Sequence, residues 1–289
     1  MASPWIDLPF DRALRRLRRD RAARIADDSR FLLHHAADEL LGRLDFVARP
    51  FAAALDLGCG DDYLGRKLRE RGLAVTSVDA GALFCLRTAG SQSDEDRLPV
   101  SEASFDLIVS VGVLDTVNDL PGALIQLRRA LRPDGLFLAA FAGAGSLPRL
   151  RAALRAAEEA EGQPAGARLH PQIDVRAAGD LLVRAGFSLP VADDEVLEVR
   201  YSGLGALVTD LRGITGSNVL AERPRRPFGR IGHTAATAAF AAQADADGRT
   251  AEQIHILHLI GWAPSPDQPK PARRGSATAS LADALKPKS

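Results

Sequence analysis

One glycine-containing loop constrains the fold of this chain more than any other feature. The loop Asp56-Leu57-Gly58-Cys59-Gly60 ends the apolar run 51–57, which has the length of a buried strand. Glycines after a strand let the backbone turn tightly and approach a ligand at the carboxyl edge of a parallel sheet. The helix that follows presents free N–H groups to the same place. The loop therefore predicts an α/β fold with a binding site at this edge.

Strands and helices alternate along the rest of the chain, as the residue pattern predicts. The remaining strands are expected at 73–78, 105–110, 135–142, 195–201 and 253–262. Helices are expected at 64–71, 121–131, 147–161 and 175–185. Alternation of this kind indicates βαβ units with right-handed crossovers. We therefore expect a Rossmann-like, mostly parallel sheet with helices on both faces.

Three regions of the chain differ in pattern. Residues 1–50 predict a helical extension, in which the segment 10–24 is amphipathic and very basic. Residues 51–263 are expected to form the binding domain, with insertions towards its C-terminal end. Residues 264–289 are rich in Pro, Ser, Lys and Arg, so we expect a mostly disordered tail.

Composition bears on partners and location. Lys and Arg number 37, as do Asp and Glu, so nothing in the charge favours nucleic acid or an anionic membrane as the main partner. The longest apolar stretch, 135–144, is too short to cross a bilayer, so no integral membrane segment is expected. The arginine-rich opening contains Asp20 and continues into Asp27 and Asp28, acids that import segments avoid. With Arg used almost throughout in place of Lys, we predict a cytoplasmic, bacterial protein.

Acidic residues follow the loop at the spacing of an adenosine site. Asp79 ends the second expected strand, where a carboxylate accepts hydrogen bonds from both ribose hydroxyls. Asp94 and Glu95 stand before the third strand, placed to accept from an adenine amino group. Asp56 lies where the cationic end of an amino acid would bind. Each acid taken alone is equally consistent with a structural role, and their combined order carries the prediction.

The loop itself distinguishes between cofactors. A dinucleotide site would have another glycine after Gly60, where this chain has Asp61 and Asp62, and these acids would repel a pyrophosphate. S-adenosylmethionine (SAM) carries no phosphate and has a sulfonium and an ammonium group. We therefore predict SAM as the cofactor, bound by Asp56, Gly58, Cys59, Gly60, Asp79, Asp94 and Glu95.

The order of segments resembles one family of the class I SAM-methyltransferase superfamily, the arginine-hydroxylase assembly factors of respiratory complex I, which are close to malonyl-ACP O-methyltransferase. Matching pieces run from Phe10-Asp11-Arg12 through Leu131-Arg132-Pro133-Asp134-Gly135 to the end of the chain. Ile260-Gly261-Trp262 and Arg274-Gly275-Ser276-Ala277-Thr278 are the most particular of them. The resemblance implies a SAM-binding fold and a protein client, namely the quinone-proximal subunit of the NADH dehydrogenase.

Three departures from that family affect the site. Asp62 stands where the family usually has a glycine. The segment from Asp79 to Asp94 is expected to be too short for the usual helix and strand, which would alter one wall of the adenine pocket. Asp115-Thr116 replaces a His-Trp pair, and Asp115 is the only catalytic candidate that the sequence offers.

Several functions remain open on this basis. A SAM-dependent methyltransferase is the first, because methyl transfer depends on positioning and needs no nucleophile motif. An arginine hydroxylase acting on complex I, a non-catalytic assembly chaperone and a malonyl-ACP O-methyltransferase are the alternatives. No metal site is predicted, since His255 and His258 fall on opposite faces of a strand.

Overall fold

A seven-stranded sheet organises the computed structural model, which describes residues 8–25 and 27–268. The strand order is β3-β2-β1-β4-β5-β7-β6. The strands are β1 (Ala53–Leu57), β2 (Ala74–Asp79), β3 (Ser91–Gln92), β4 (Phe105–Val111), β5 (Leu131–Ala142), β6 (Ser188–Tyr201) and β7 (Thr250–Trp262). Strands β1 to β5 run parallel, whereas β7 is antiparallel to both β5 and β6. The expected Rossmann-like, mostly parallel sheet is confirmed.

The helices connect these strands and cover both faces of the sheet. They are α1 (Arg12–Ala22), α2 (Phe31–Asp45), α3 (Tyr63–Glu70), α4 (Ala82–Thr88), α5 (Leu120–Ala130), α6 (Pro148–Ala160), α7 (Val175–Ala185), α8 (Leu204–Gly213) and α9 (Arg230–Ala241). The sequence patterns did not predict α8 and α9. Helix α9 is built largely from alanine and threonine, which give little contrast between a buried and an exposed face.

The core lies on both sides of the parallel strands. On one side, Leu40 and Leu41 of α2 belong to the same buried cluster as Leu107 and Leu138 of the sheet. On the other side, α5 and α7 contribute buried side chains such as Leu124 to a cluster that includes strands β1, β4 and β5. Burial on both faces explains why the strands are nearly continuous apolar runs. Helix α2, in the N-terminal extension, is therefore part of the main core.

The segment between Asp79 and Asp94 differs from its prediction. It does contain both a helix and a strand, because α4 has only seven residues and β3 only two. Gly90, between α4 and β3, allows so short a connection because it lacks a side chain. A Cβ at that position would lie 2.5 Å from the carbonyl oxygen of Ser77. The expectation that this segment is too short for both elements is wrong.

Helix α1 lies across the carboxyl end of β2 and contacts α4. Its first turn is capped by Asp11, which accepts a hydrogen bond of 3.0 Å from the Leu14 N–H. Four arginines, at the helical spacing of one face, point at the sheet edge: Arg12, Arg15, Arg16 and Arg19. The amphipathic basic helix predicted at 10–24 therefore uses its basic face for packing.

Two features concern the ends of the chain and the membrane. Within residues 8–25 and 27–268, no helix combines the length and the apolar character that a transmembrane span requires. Most of the tail expected to be disordered, including Arg274 to Thr278, lies outside the described residues.

Candidate functional site

The glycine loop after β1 has the backbone that its sequence predicts. Gly58 and Gly60 have φ angles of 82° and 52°, in the left-handed region that favours glycine. The Gly58 N–H donates to the Val78 carbonyl at 2.7 Å. A Cβ on Gly58 would lie 2.5 Å from a methyl group of Val113, so this chain's own side chain already occupies the space above that glycine.

The thiol of Cys59 takes no charge in this loop. Its side chain is buried and its Sγ lies 3.4 Å from the hydroxyl of Thr88. Burial raises the pKa of the Cys59 thiol well above its usual value, and the charge of Asp79 adds to the shift. Cys59 therefore contributes its backbone and a neutral, packed side chain.

One oxygen of the buried Asp56 carboxyl group lacks a hydrogen-bond partner among the described residues. Asp56 is 2% exposed, and the oxygen without a partner is Oδ2. Burial, followed by the charges of Asp62 and Asp79, raises the pKa of Asp56 to about 7. An unpaired buried carboxyl of this kind favours either a proton or a cationic ligand.

In contrast, the hydrogen-bonding capacity of the Asp79 carboxylate is already used by other groups of the protein. Its side chain is fully buried and receives two hydrogen bonds from Arg19, of 2.6 Å from Nε and 2.5 Å from Nη2. The backbone N–H groups of Gly60 and Gly81 donate to the same carboxylate at 3.1 and 2.7 Å. Four donors use the acceptor positions that ribose hydroxyls would need.

The acidic turn at residues 94–96 is bound in the same way. Arg16 Nη2 lies 2.7 Å from Asp94, and Arg15 forms contacts of 2.8 Å with both carboxylate oxygens of Glu95. Arg12 bonds to the neighbouring Asp96. Asp94 and Glu95 are 5% and 1% exposed, so neither presents a carboxylate to solvent.

With α1 in this position, the predicted residues do not fit SAM. The loop has the required backbone and Asp56 has an available oxygen, but the acids expected to hold ribose and adenine are bonded to guanidinium groups. We therefore define the acidic crevice as Asp56, Asp79, Asp94, Glu95 and Asp96. The part of the crevice that the sequence predicted to hold adenosine is filled by α1.

A separate cavity opens at the carboxyl ends of β4 and β5. It has a volume of about 120 Å³ and a largely apolar lining, which includes Leu33, Val111, Phe141, Leu211 and Ile254. Gly112 also lines it and has a φ of 68°. The next residue is Val113, the side chain that covers Gly58. The lining of the cavity and the cover of the glycine loop therefore come from consecutive residues of the chain, Gly112 and Val113.

Two charged side chains line this cavity, and only one of them is paired. Arg168 Nε is bonded to Glu158 at 2.6 Å. Asp115 forms neither a hydrogen bond nor an ion pair with residues 8–25 or 27–268, although it is partly exposed to the cavity. The lining thus offers one available negative charge among apolar walls.

His170 adds a neutral polar group to the same lining. Its Nε2 accepts a hydrogen bond of 3.1 Å from the Val219 N–H, which leaves the proton on Nδ1. Burial lowers the pKa of His170; the Asp115 charge opposes this effect and the Arg15 charge adds to it. The imidazole is therefore neutral near pH 7, with a donor N–H on its other nitrogen.

The sequence located the loop and its acids but missed much of the cavity. Neither His170, in the loop 161–174, nor Asn218, in the connection between α8 and α9, belongs to a motif. The length of these two loops was the one sign in the sequence that they could be functional. Connections between helices in compact domains usually have about 2–8 residues, and longer ones are often functional. Asp115, the catalytic candidate, does line the cavity.

The histidines on β7 lie as expected on opposite faces of the strand. His255 Nδ1 is 2.8 Å from Asp194, and His258 Nε2 is 2.9 Å from Glu195, the next residue of β6. No group of three or more His, Cys, Asp or Glu side chains suited to a metal ion occurs in the described part of the chain.

Comparison with known families and structures agrees with this architecture. A methyltransferase domain family matches residues 55–139, from β1 to β5. The structure of the YcgJ protein from Bacillus subtilis superposes with a TM-score of 0.55, covering 80% of this chain and 99% of that one at 14% identity. At that identity, the likeness concerns the fold alone.

Full-length relatives are more specific. The arginine-hydroxylase NDUFAF5, mitochondrial, of Danio rerio is 36% identical over 96% of this chain and 89% of its own length. The Homo sapiens protein of the same description is 33% identical over 95% and 82%. A malonyl-[acyl-carrier protein] O-methyltransferase of Methylovorus sp. (strain MP688) is 30% identical over 88% and 90%.

These relatives contradict one prediction. The expectation of a cytoplasmic, bacterial protein is wrong, since the relatives from Danio rerio and Homo sapiens are described as mitochondrial. The expectation rested on acids within the arginine-rich opening. In the structure, Asp20 accepts a hydrogen bond from the Leu83 N–H and the arginines pack on the sheet edge. The charge pattern there reflects packing and gives no information about the compartment.

Proposed function

Because this chain belongs to the family of the arginine-hydroxylase NDUFAF5, we propose that it is a SAM-binding, methyltransferase-fold protein that modifies an arginine side chain of a respiratory complex I subunit. One observation carries the proposal. The cavity beside the glycine loop combines apolar walls with a single unpaired carboxylate, that of Asp115.

The cavity suits an arginine side chain on chemical grounds. Arginine has an apolar stem, which packs against aliphatic and aromatic walls such as Leu33 and Phe141. Its planar guanidinium can bind a carboxylate through two parallel hydrogen bonds, which is the role that we assign to Asp115. The neutral His170 adds no competing positive charge, because its pKa is lowered by burial.

The proposed client is the quinone-proximal subunit of the respiratory NADH dehydrogenase. The support is the family, whose similarity extends over 96% of the chain and therefore beyond the matched methyltransferase domain. The additional region includes β6, β7 and the loops that line the cavity with His170 and Asn218. A binding surface for a protein would be expected in such additions.

We assign SAM to the glycine loop and the acidic crevice. The backbone of Gly58, Cys59 and Gly60 would approach the cofactor, and Asp56 would pair with its ammonium group. Asp79, Asp94 and Glu95 would hold the ribose and adenine after the arginines of α1 have withdrawn. SAM would supply an activated methyl group when bound.

The malonyl-ACP alternative is disfavoured by the charge of the cavity. A malonyl group carries a carboxylate, and a site for it needs an available cation. The lining instead presents the Asp115 carboxylate, while the positive charge of Arg168 is already paired with Glu158.

The test is mass spectrometry of the complex I subunit from cells that lack this protein and from cells that express it again. We expect an arginine whose mass differs between the two by one oxygen atom, the signature of hydroxylation, in which the oxygen would come from an external oxidant such as molecular oxygen, with a reductant to balance it, and not from SAM. A difference of one methylene group would instead identify a methyltransferase, and no difference in any subunit would leave only the non-catalytic chaperone.

Asp115→Asn provides the matched variant. It keeps the size of the side chain and removes the charge, so we expect a stable protein and loss of most of the arginine modification. Asp193→Asn, on the exposed surface of β6, removes the same charge away from the cavity and should leave the modification unchanged. Normal modification with Asp115→Asn would refute the assigned role of the carboxylate.

A further inference from the structure

The basic face of α1 is matched to the acidic crevice residue by residue. Arg19 binds Asp79, Arg16 binds Asp94 and Arg15 binds Glu95, all at 2.8 Å or less. Arg12 completes the set with Asp96. The two central pairs, Arg19–Asp79 and Arg15–Glu95, are almost fully buried.

We infer that α1 is an intramolecular plug of the acidic crevice, and that its docking and the binding of SAM exclude each other. The inference rests on the proposed SAM site. The site then has two forms: a closed form, which this structure shows, and an open form in which α1 has moved away.

The docked helix occupies the same acceptor atoms that SAM would use. The two Asp79 oxygens that ribose hydroxyls would use are the atoms that Arg19 Nε and Nη2 contact. Helix α1 also packs closely on the turn after β2, since a Cβ added to Gly81 would lie 2.8 Å from the Cβ of Arg19. A nucleoside cannot enter between these groups while the helix is docked.

The attachment of α1 to the rest of the fold differs from that of α2. Helix α1 is joined to the rest of the fold largely through charged contacts, whereas α2, the next helix, is anchored by buried leucines such as Leu40. Arg12, Arg15, Arg16 and Arg19 supply most of the charged contacts, and the apolar contacts of α1 are few, namely Ala22 against Phe84 and Leu14 near Phe10. Helix α1 therefore buries little apolar surface against the rest of the fold, which is one mark of an element that can open locally.

Calorimetry with SAM on the full chain tests the plug. Arg16→Gln removes a partly exposed guanidinium that contacts Asp94 and should tighten SAM binding about twofold to fivefold, because an exposed ion pair has a modest free energy. Arg12→Gln combined with Arg16→Gln should tighten it about tenfold. Arg19 is unsuited to this test, since its loss would leave Asp79 buried and unpaired.

The matched control is Arg21→Gln. Arg21 lies on the exposed side of the same helix, and its substitution changes the net charge by the same amount. It should leave SAM affinity unchanged. If Arg21→Gln tightened binding as much as Arg16→Gln, a general effect of charge would explain the result and the plug would be refuted.

Hydrogen exchange provides a second, independent readout. Addition of SAM to the wild-type chain should accelerate amide exchange in α1 at least about tenfold while protecting the glycine loop. Measurable SAM binding with increased protection of α1, or weaker binding by the arginine variants, would make α1 a wall of the site and overturn the plug alone. Absence of SAM binding by the wild type and all variants would overturn the plug and the cofactor assignment together.

Discussion

At the ends of β2 and β3, Asp79, Asp94 and Glu95 are bonded to arginines and closed to solvent, whereas at the ends of β4 and β5 the carboxylate of Asp115 faces an apolar cavity without a partner among the described residues. Both regions lie on the same edge of one sheet. Their difference comes from the elements that cover them, a basic helix in one case and, in the other, loops whose one arginine in the lining, Arg168, is already paired with Glu158. Position on the fold alone therefore does not show whether a carboxylate has a structural role or is available to bind a ligand.

The largest expected effect is a difference in the free energy of unfolding between one variant from each region. Asp79→Asn removes the charge that compensates the buried Arg19 and should lower the free energy of unfolding by about 3–5 kcal/mol. Asp115→Asn breaks no interaction and should change it by less than about 0.5 kcal/mol. Urea denaturation of both variants measures the contrast. Equal effects would mean that the Arg19–Asp79 pair has no structural role.

The next prediction concerns the pH dependence of the crevice. The pKa of Asp56 is raised to about 7, so the folded chain keeps a proton that the unfolded chain loses near pH 4. The resulting stability is complete below that pH and is lost as the pH rises towards 7. Between pH 5 and 8, the wild type should lose on the order of 2–4 kcal/mol more than Asp56→Asn. Parallel pH profiles in denaturation experiments would refute the raised pKa.

The cavity should respond to pH in the opposite direction and less strongly. Burial lowers the pKa of His170, so its stabilising contribution is present above about pH 6.5 and is lost as the pH falls below that value. His170→Gln can still accept from the Val219 N–H and cannot be protonated. Thermal unfolding at pH 7.5 and 5.5 should show a smaller acid-induced loss for this variant. A loss equal to that of the wild type would show that His170 does not titrate there.

The smallest expected effect is at Asp62. Its φ of 69° is unfavourable for a residue other than glycine, and its carboxylate is bonded to the partly exposed Arg69 at 2.8 Å. Asp62→Gly relieves about 1 kcal/mol of backbone strain and loses a weak ion pair, for a net gain of about 0.5 kcal/mol. Ala103→Gly is the control, at an exposed residue with a φ of 50° and no charge, and should gain about 1 kcal/mol. A loss of stability in Asp62→Gly would mean that the ion pair outweighs the strain.

The parts of the fold with strong periodicity or specific end signals were predictable. Helix α7 was expected at its observed limits, because Asp174 caps it and Gly186 ends it. Helix α9 was missed because small residues on all sides give no amphipathic pattern. The short α4 and β3 were missed because their combination depends on Gly90 lying against the Ser77 carbonyl, a contact between residues separated along the chain.

The sequence by itself determined the glycine loop, the acids that follow it, the parallel sheet and the family resemblance, since each depends on residues that are close in the chain or in a fixed order. Only the tertiary structure decided which acids are available. The pairing of Arg19 with Asp79 joins residues 60 positions apart, and the Asp115 cavity is completed by His170 and Asn218 from distant loops. Burial and ion pairing are properties of the folded neighbourhood, and a carboxylate in a sequence motif does not reveal which guanidinium will reach it.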